Sequence, residues 1–115
     1  MQERELVRVL GKRIGMIMKE SKIPFEKIQE IHLRIGQPII ILCDNGENSL
    51  PEIVKKEDLT ESLDFISKYS LYAFENELKQ GFITIEGGHR VGVTGQVLVE
   101  NDEVKCIRHI SSMNI

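Results

Sequence analysis

Apolar residues at Leu6, Leu10, Ile14 and then Ile17 or Met18 recur at helical spacing through "ERELVRVLGKRIGMIMKE", which predicts one amphipathic helix over 3–20, weakened by Gly11 and Gly15. Pro24 ends that run. "EIHLRI" then alternates Ile31, Leu33 and Ile35 against His32 and Arg34, the period of a strand buried on one face. Gly36 and Pro38 turn the chain into "IIILC", an apolar run that reads as a more buried strand. "DNGEN" is an Asn-Gly hairpin signal leading to a short third strand around Ser49 and Leu50. Helical spacing returns with Leu59, Leu63 and Ile66 over 56–68. A further helix is predicted over 70–81, with Ser70 as N-cap, Leu71, Phe74 and Leu78 as its stripe, a Glu75–Lys79 pair, and Gly81 as its stop. "FITIE", "RVGVTGQVLVE" and "VKCIRHI" alternate again and predict a three-stranded antiparallel meander. The order of elements implies an α+β layer: a mainly antiparallel sheet with helices packed on one face, leaving the other face available.

Length changes this picture little. At 115 residues one domain over 1–115 with one core is expected. Charge narrows the function classes: a formal net charge of −3 argues against broad attraction to nucleic acid or anionic lipid. No apolar run approaches the length of a membrane span and no signal-peptide pattern precedes the first helix, so a cytosolic chain is expected. Cys43 and Cys106 each sit in a strand-like run and are expected to pack as core residues, unbridged in a reducing compartment. No zinc spacing is present. Convergence of His32, His89 and His109 is the one route to a metal site, and none is assigned.

Several local matches to known chemistry fail on inspection. "GKR" at 11–13 shares a Gly-Lys pair with phosphate-binding loops but lacks the glycine five residues earlier and the hydroxyl that follows the lysine. "GGHRVGVTG" runs into a strand, where dinucleotide binding needs a helix N-terminus, and "GVTG" does not join two helices as a KH loop must. No nucleophile elbow or paired-carboxylate motif occurs. What the stretch does offer is strand geometry. Val91, Val93, Val97 and Val99 share one face, leaving Arg90, Gly92, Thr94 and Gln96 on the other, while Gly95 marks a bend or bulge. That row is either a solvated face or a docking surface with Arg90 as its charged contact. Arg108 alternates in phase with Val104, Cys106 and Ile110, a core-like phase in which a guanidinium needs a partner: a structural carboxylate, an exposed strand end, or a ligand phosphate.

"EIHLRIGQP", "YSLYAFENELKQGFITIEGGHRVGVTGQ" and "IRHISSMNI", in that order, closely resemble the N-terminal region of the stage III sporulation protein AA family of endospore-forming bacteria. That family tends to carry a Thr cap before an acidic pair where this chain has Lys55, so the local cap is in question. The family is similar to hexameric secretion and pilus ATPases, in which a PAS-like N-terminal domain precedes a P-loop domain. The resemblance implies a PAS-like, non-catalytic regulatory and oligomerisation domain, with the P-loop outside this chain. It implies ATP and magnesium as cofactors of the full-length protein but none held by this chain. It further implies a homo-hexamer at the mother-cell side of the membrane, peripheral through partners, serving the subunits of the channel between mother cell and forespore. By the same resemblance Arg90 and Arg108 match arginines that reach the phosphates of nucleotide on the P-loop domain, where both would stabilise charge on the transferred phosphoryl group, with Gln96 a weaker nucleotide contact. The alternative is an independent binding module for nucleic acid or protein that uses the glycine-rich sheet face.

Overall fold

A computed structural model describes residues 3–69, 80–85, 89–100 and 103–115; for 69, 95–100 and 103–114 it describes the backbone alone. The elements are α1 (Glu3–Val9), α2 (Lys12–Glu20), β1 (Ile28–Arg34), β2 (Pro38–Cys43), β3 (Gly46–Ile53), α3 (Lys56–Tyr69), β4 (Phe82–Thr84), β5 (Arg90–Glu100) and β6 (Glu103–Asn114). A single 3-10 turn, Phe25–Lys27, leads into β1. The helix predicted over 70–81, with its Ser70 cap and Glu75–Lys79 pair, lies outside the described residues. Its stop is seen: Gln80 is helical and Gly81 follows with φ +87°, a left-handed conformation that glycine adopts at little cost.

All strands pair antiparallel in one six-stranded sheet of order β3-β2-β1-β6-β5-β4, which bears out the α+β class. Two meanders are thus joined through their first and last strands. Ile31 and Ile115 extend that junction by exchanging backbone hydrogen bonds of 2.8 Å in both directions. Helices α1, α2 and α3 cover one sheet face, where Leu6, Leu10, Ile14, Met18, Leu59, Leu63 and Ile66 form one core with Ile31, Leu33, Ile39, Ile41, Ile83 and Val91. Each such fully buried Leu or Ile contributes about 2 kcal/mol through removal of apolar surface from water. Cys43 joins this core as expected, unbridged.

The predicted helix over 3–20 is in fact two. Leu10 closes α1 through its N–H to the Leu6 carbonyl (3.0 Å), and Gly11 then takes φ −57° and ψ 155°, an extended backbone that caps α2. The cause is packing. A Cβ at Gly11 would stand 3.2 Å from the Asp58 carbonyl oxygen, so α3 approaches here at a distance only glycine allows without adjustment. The hairpin at 44–46 also differs from the type expected. Cys43 pairs with Gly46, only Gly46 has positive φ (+128°), and neither Asp44 nor Asn45 does, so the turn is not the type I′ that Asn-Gly favours. Between β1 and β2 the Gln37 N–H donates to the Arg34 carbonyl (3.0 Å) with Gly36 at φ +81°, the arrangement of a type II turn. Strands β3 and β6 both run further than their alternation indicated. Pairing with a neighbour extends each of them through polar residues.

Candidate functional site

The sheet face opposite the helices holds the residues the sequence singled out. Alternation along β5 buries Val91 and leaves Arg90 and Thr94 exposed, as the strand period requires. On neighbouring β4, Ile83 is buried opposite Val91, while Phe82 stands opposite Gly92 and Thr84 opposite Arg90. Arg90 is therefore diagonal to Phe82 on the same face, within reach of an aromatic ring. Its guanidinium carbon lies 4.9 Å from the ring centroid, a cation–π arrangement. Among the described residues no carboxylate pairs with Arg90.

The residue before it faces the other way. His89 Nε2 is hydrogen-bonded to Glu5 Oε2 of α1, and the His89 carbonyl accepts the Ile85 N–H at 3.0 Å, closing the segment between β4 and β5. Both side chains are half-buried. Strand β5 thus begins pinned to the helical layer on one side and carries Arg90 on the other.

Arg108 and Gln96 are placed by register alone. The ladder makes the position of Arg108 the cross-strand partner of Gln96, and that of Cys106 the partner of Leu98, so Arg108 keeps the phase of Cys106 that its alternation indicated. Register shifts between Thr94 and Gln96 and between Leu98 and Val99 flank this stretch and interrupt the simple period on either side of it. Met113 pairs with Val93 and with Leu33 of β1, and Ser112 with Thr94 and Arg34. Arg34, exposed on β1, therefore shares a row with Thr94. Gln96 lies six positions beyond Arg90 on β5, roughly 20 Å along the strand, so the positions of Arg90 and Arg108 are well separated. The sequence reading missed Phe82 and Arg34 as site residues. The signal for both was present in their alternation, but the pairings that make them neighbours of β5 are not local.

Gly92 is half-buried. Its φ is ordinary, and a Cβ there would meet nothing nearer than the Gly81 carbonyl oxygen at 3.9 Å. Packing within the described residues gives no reason for glycine at this position.

The Gly-Lys-Arg stretch at 11–13 belongs to a different structure. Ser62 Oγ accepts the Gly11 N–H (2.8 Å), Glu61 Oε1 accepts the Lys12 N–H (2.9 Å), and Arg13 pairs with Asp58 and donates to the Ile53 carbonyl (3.1 Å). Carboxylate and hydroxyl oxygens from α3 thus satisfy the N-terminus of α2. Asp58 also accepts the Lys55 N–H at 2.8 Å, so the start of α3 is closed by an acidic residue reaching back where a Thr cap is lacking. The Gly11 and Lys12 N–H groups and the Arg13 guanidinium of this stretch are all engaged with α3. Elsewhere His32 is hydrogen-bonded to Glu30 (2.8 Å), and the His109 side chain lies outside those described. Among the described residues no group of His, Cys, Asp or Glu has the arrangement to hold a metal ion. None of their helices is long and apolar enough to cross a membrane.

These features define an α+β domain with a helix-covered core and an open antiparallel face that carries an arginine backed by an aromatic ring. The family model described as "Sporulation stage III, protein AA" matches residues 1–115, and the chain belongs to that family. It is 41% identical over 98 residues to stage III sporulation protein AA of Bacillus subtilis strain 168, a match covering 83% of this chain and 32% of the relative. The chain thus spans about a third of the length of the curated relative it matches. No solved structure matches it.

Proposed function

We propose that this chain acts as a non-catalytic regulatory and oligomerisation domain, PAS-like in its layering, of a sporulation ATPase related to the hexameric secretion ATPases. It supplies arginine side chains to nucleotide bound by an adjoining P-loop domain. The observation that carries the reading is the state of Arg90: exposed on the face opposite α1, α2 and α3, stacked on Phe82, and engaged by no described carboxylate. A guanidinium held this way keeps its N–H donors directed outward, where they can meet a phosphoryl group. The family match and the greater length of the relative support a domain that works beside another.

The ladder refines the roles. An arginine reaches roughly 7 Å from its Cα, so two arginines on neighbouring strands, about 20 Å apart along the strand direction, do not meet at one atom. Arg90 is assigned the charge that develops on the transferred phosphoryl group. Arg108, with Gln96 opposite it, is assigned a contact elsewhere on the bound nucleotide. ATP and magnesium are held by the P-loop domain. The assembly is a homo-hexamer on the mother-cell side of the membrane, held there by the subunits of the channel between mother cell and forespore.

Steady-state ATP hydrolysis by the full-length protein is the test. Arg90→Ala lowers turnover on the order of 10³-fold, the scale of an arginine finger, and Arg108→Ala lowers it less. Unchanged turnover in both variants rules the assignment out. The second reading, an independent module binding nucleic acid or protein, is favoured by the absence of any close described neighbour at Gly92, on a face that also carries Phe82 and Arg34. Its mark is salt-dependent binding of single-stranded nucleic acid by this chain alone, against which the net charge of −3 weighs.

A further inference from the structure

The geometry points to Phe82 as the positioning residue for Arg90, an inference that rests on the nucleotide reading above. Three observations lead to it. Phe82 lies on the open face, diagonal to Arg90 across the β4–β5 ladder, where its apolar ring serves no core: the residue beside it, Ile83, is the one that is buried. The guanidinium sits over that ring at 4.9 Å from its centroid. The position directly opposite the ring is Gly92, so no cross-strand side chain competes with Arg90 for it.

The chemistry explains why a ring suits this place. A carboxylate beside Arg90 would hold the guanidinium equally well, but it would engage the same N–H donors and neutralise the same charge that a phosphoryl oxygen needs. An aromatic face attracts the cation through its quadrupole and leaves the edge of the guanidinium, where all five N–H donors point, open. Stacking also restricts the rotamers of a long side chain before the partner arrives, which reduces the ordering cost at the moment of contact. Phe82 thus fixes the direction of the arginine without touching the nucleotide.

The test has two readouts. In nitrogen-15 spectra of this chain without nucleotide, the Arg90 Nε–Hε resonance is displaced upfield by the ring. Phe82→Leu removes the displacement, and Phe82→Tyr keeps it while core methyl resonances stay in place. In the full-length protein Phe82→Leu lowers kcat about tenfold with KM little changed, and Phe82→Tyr restores it. If Arg90→Ala abolishes turnover while Phe82→Leu leaves both the resonance and kcat unchanged, or changes the resonance alone, the positioning role is wrong and the nucleotide reading stands. If Arg90→Ala leaves turnover intact, the assignment of Arg90 to nucleotide fails and takes the role of Phe82 with it, and the nucleotide reading then stands or falls with Arg108→Ala.

Discussion

Two short stretches of this chain pair a glycine with an arginine, and the fold uses them in opposite ways. At 11–13 the glycine is required by a close approach, and the arginine is bound to a carboxylate that is almost wholly buried. At 90–92 the glycine has no described neighbour closer than ordinary contact, and the arginine rests on an aromatic ring. The first arrangement is a seam that holds α2 to α3. The second leaves charge and room on an outer surface. What separates a structural arginine from one able to act on a partner is therefore whether its N–H donors are already engaged, since exposure alone does not distinguish them: Arg13 is itself 38% exposed at its side chain.

The contrast can be broken from either end. The largest effect on stability is expected at Asp58, which accepts from both Arg13 and the Lys55 N–H. Asp58→Ala strands both donors and should cost about 3 kcal/mol, a figure held down by the partial exposure of Arg13. Urea denaturation of the chain reads this directly, and a loss well under 1 kcal/mol would show that the seam is not a structural unit. Gly11→Ala comes next. Its new Cβ must push against a backbone carbonyl 3.2 Å away, and a loss of about 1 kcal/mol is expected in the same measurement.

Gly92→Ala should have the smallest effect on stability and sharpens the comparison most. With ordinary φ and a nearest neighbour at 3.9 Å, the added methyl is predicted to change stability by less than about 0.5 kcal/mol, toward greater stability. On the proposed nucleotide reading, ATP hydrolysis by the full-length protein should fall all the same, because the methyl stands between Arg90 and Thr94 where the proposed P-loop domain would approach. Full activity in a stable Gly92→Ala variant would remove Gly92 from the docking face.

Much of the architecture was legible in advance because it rests on local periods. The helical stripe Leu59, Leu63 and Ile66 is fully buried, and the alternation of Ile31 and Leu33 is that of a strand with one face in the core. The limits β5 shows, Arg90–Glu100, are those its alternation indicated. The break at Gly11 was not legible, because glycine lowers helix propensity by only about 1 kcal/mol and tolerating it or breaking at it depends on what packs alongside. The site was half legible. Arg90 could be assigned to an outward row from alternation, whereas its contact with Phe82 depends on which rung of β4 meets which rung of β5.

By itself the order of residues determined the class of fold, the buried faces of its helices and strands, and the outward row containing Arg90 and Thr94. These follow from periods of 3.6 and 2 that act over a few neighbouring positions. Only the tertiary structure decided that β1 joins β6, that Arg34 shares a row with Thr94, that Arg108 stands opposite Gln96, and that α2 begins where α3 comes close. Those facts depend on contacts between segments far apart in the chain, whose register is set by the packing of the whole core and by bulges that no local period records.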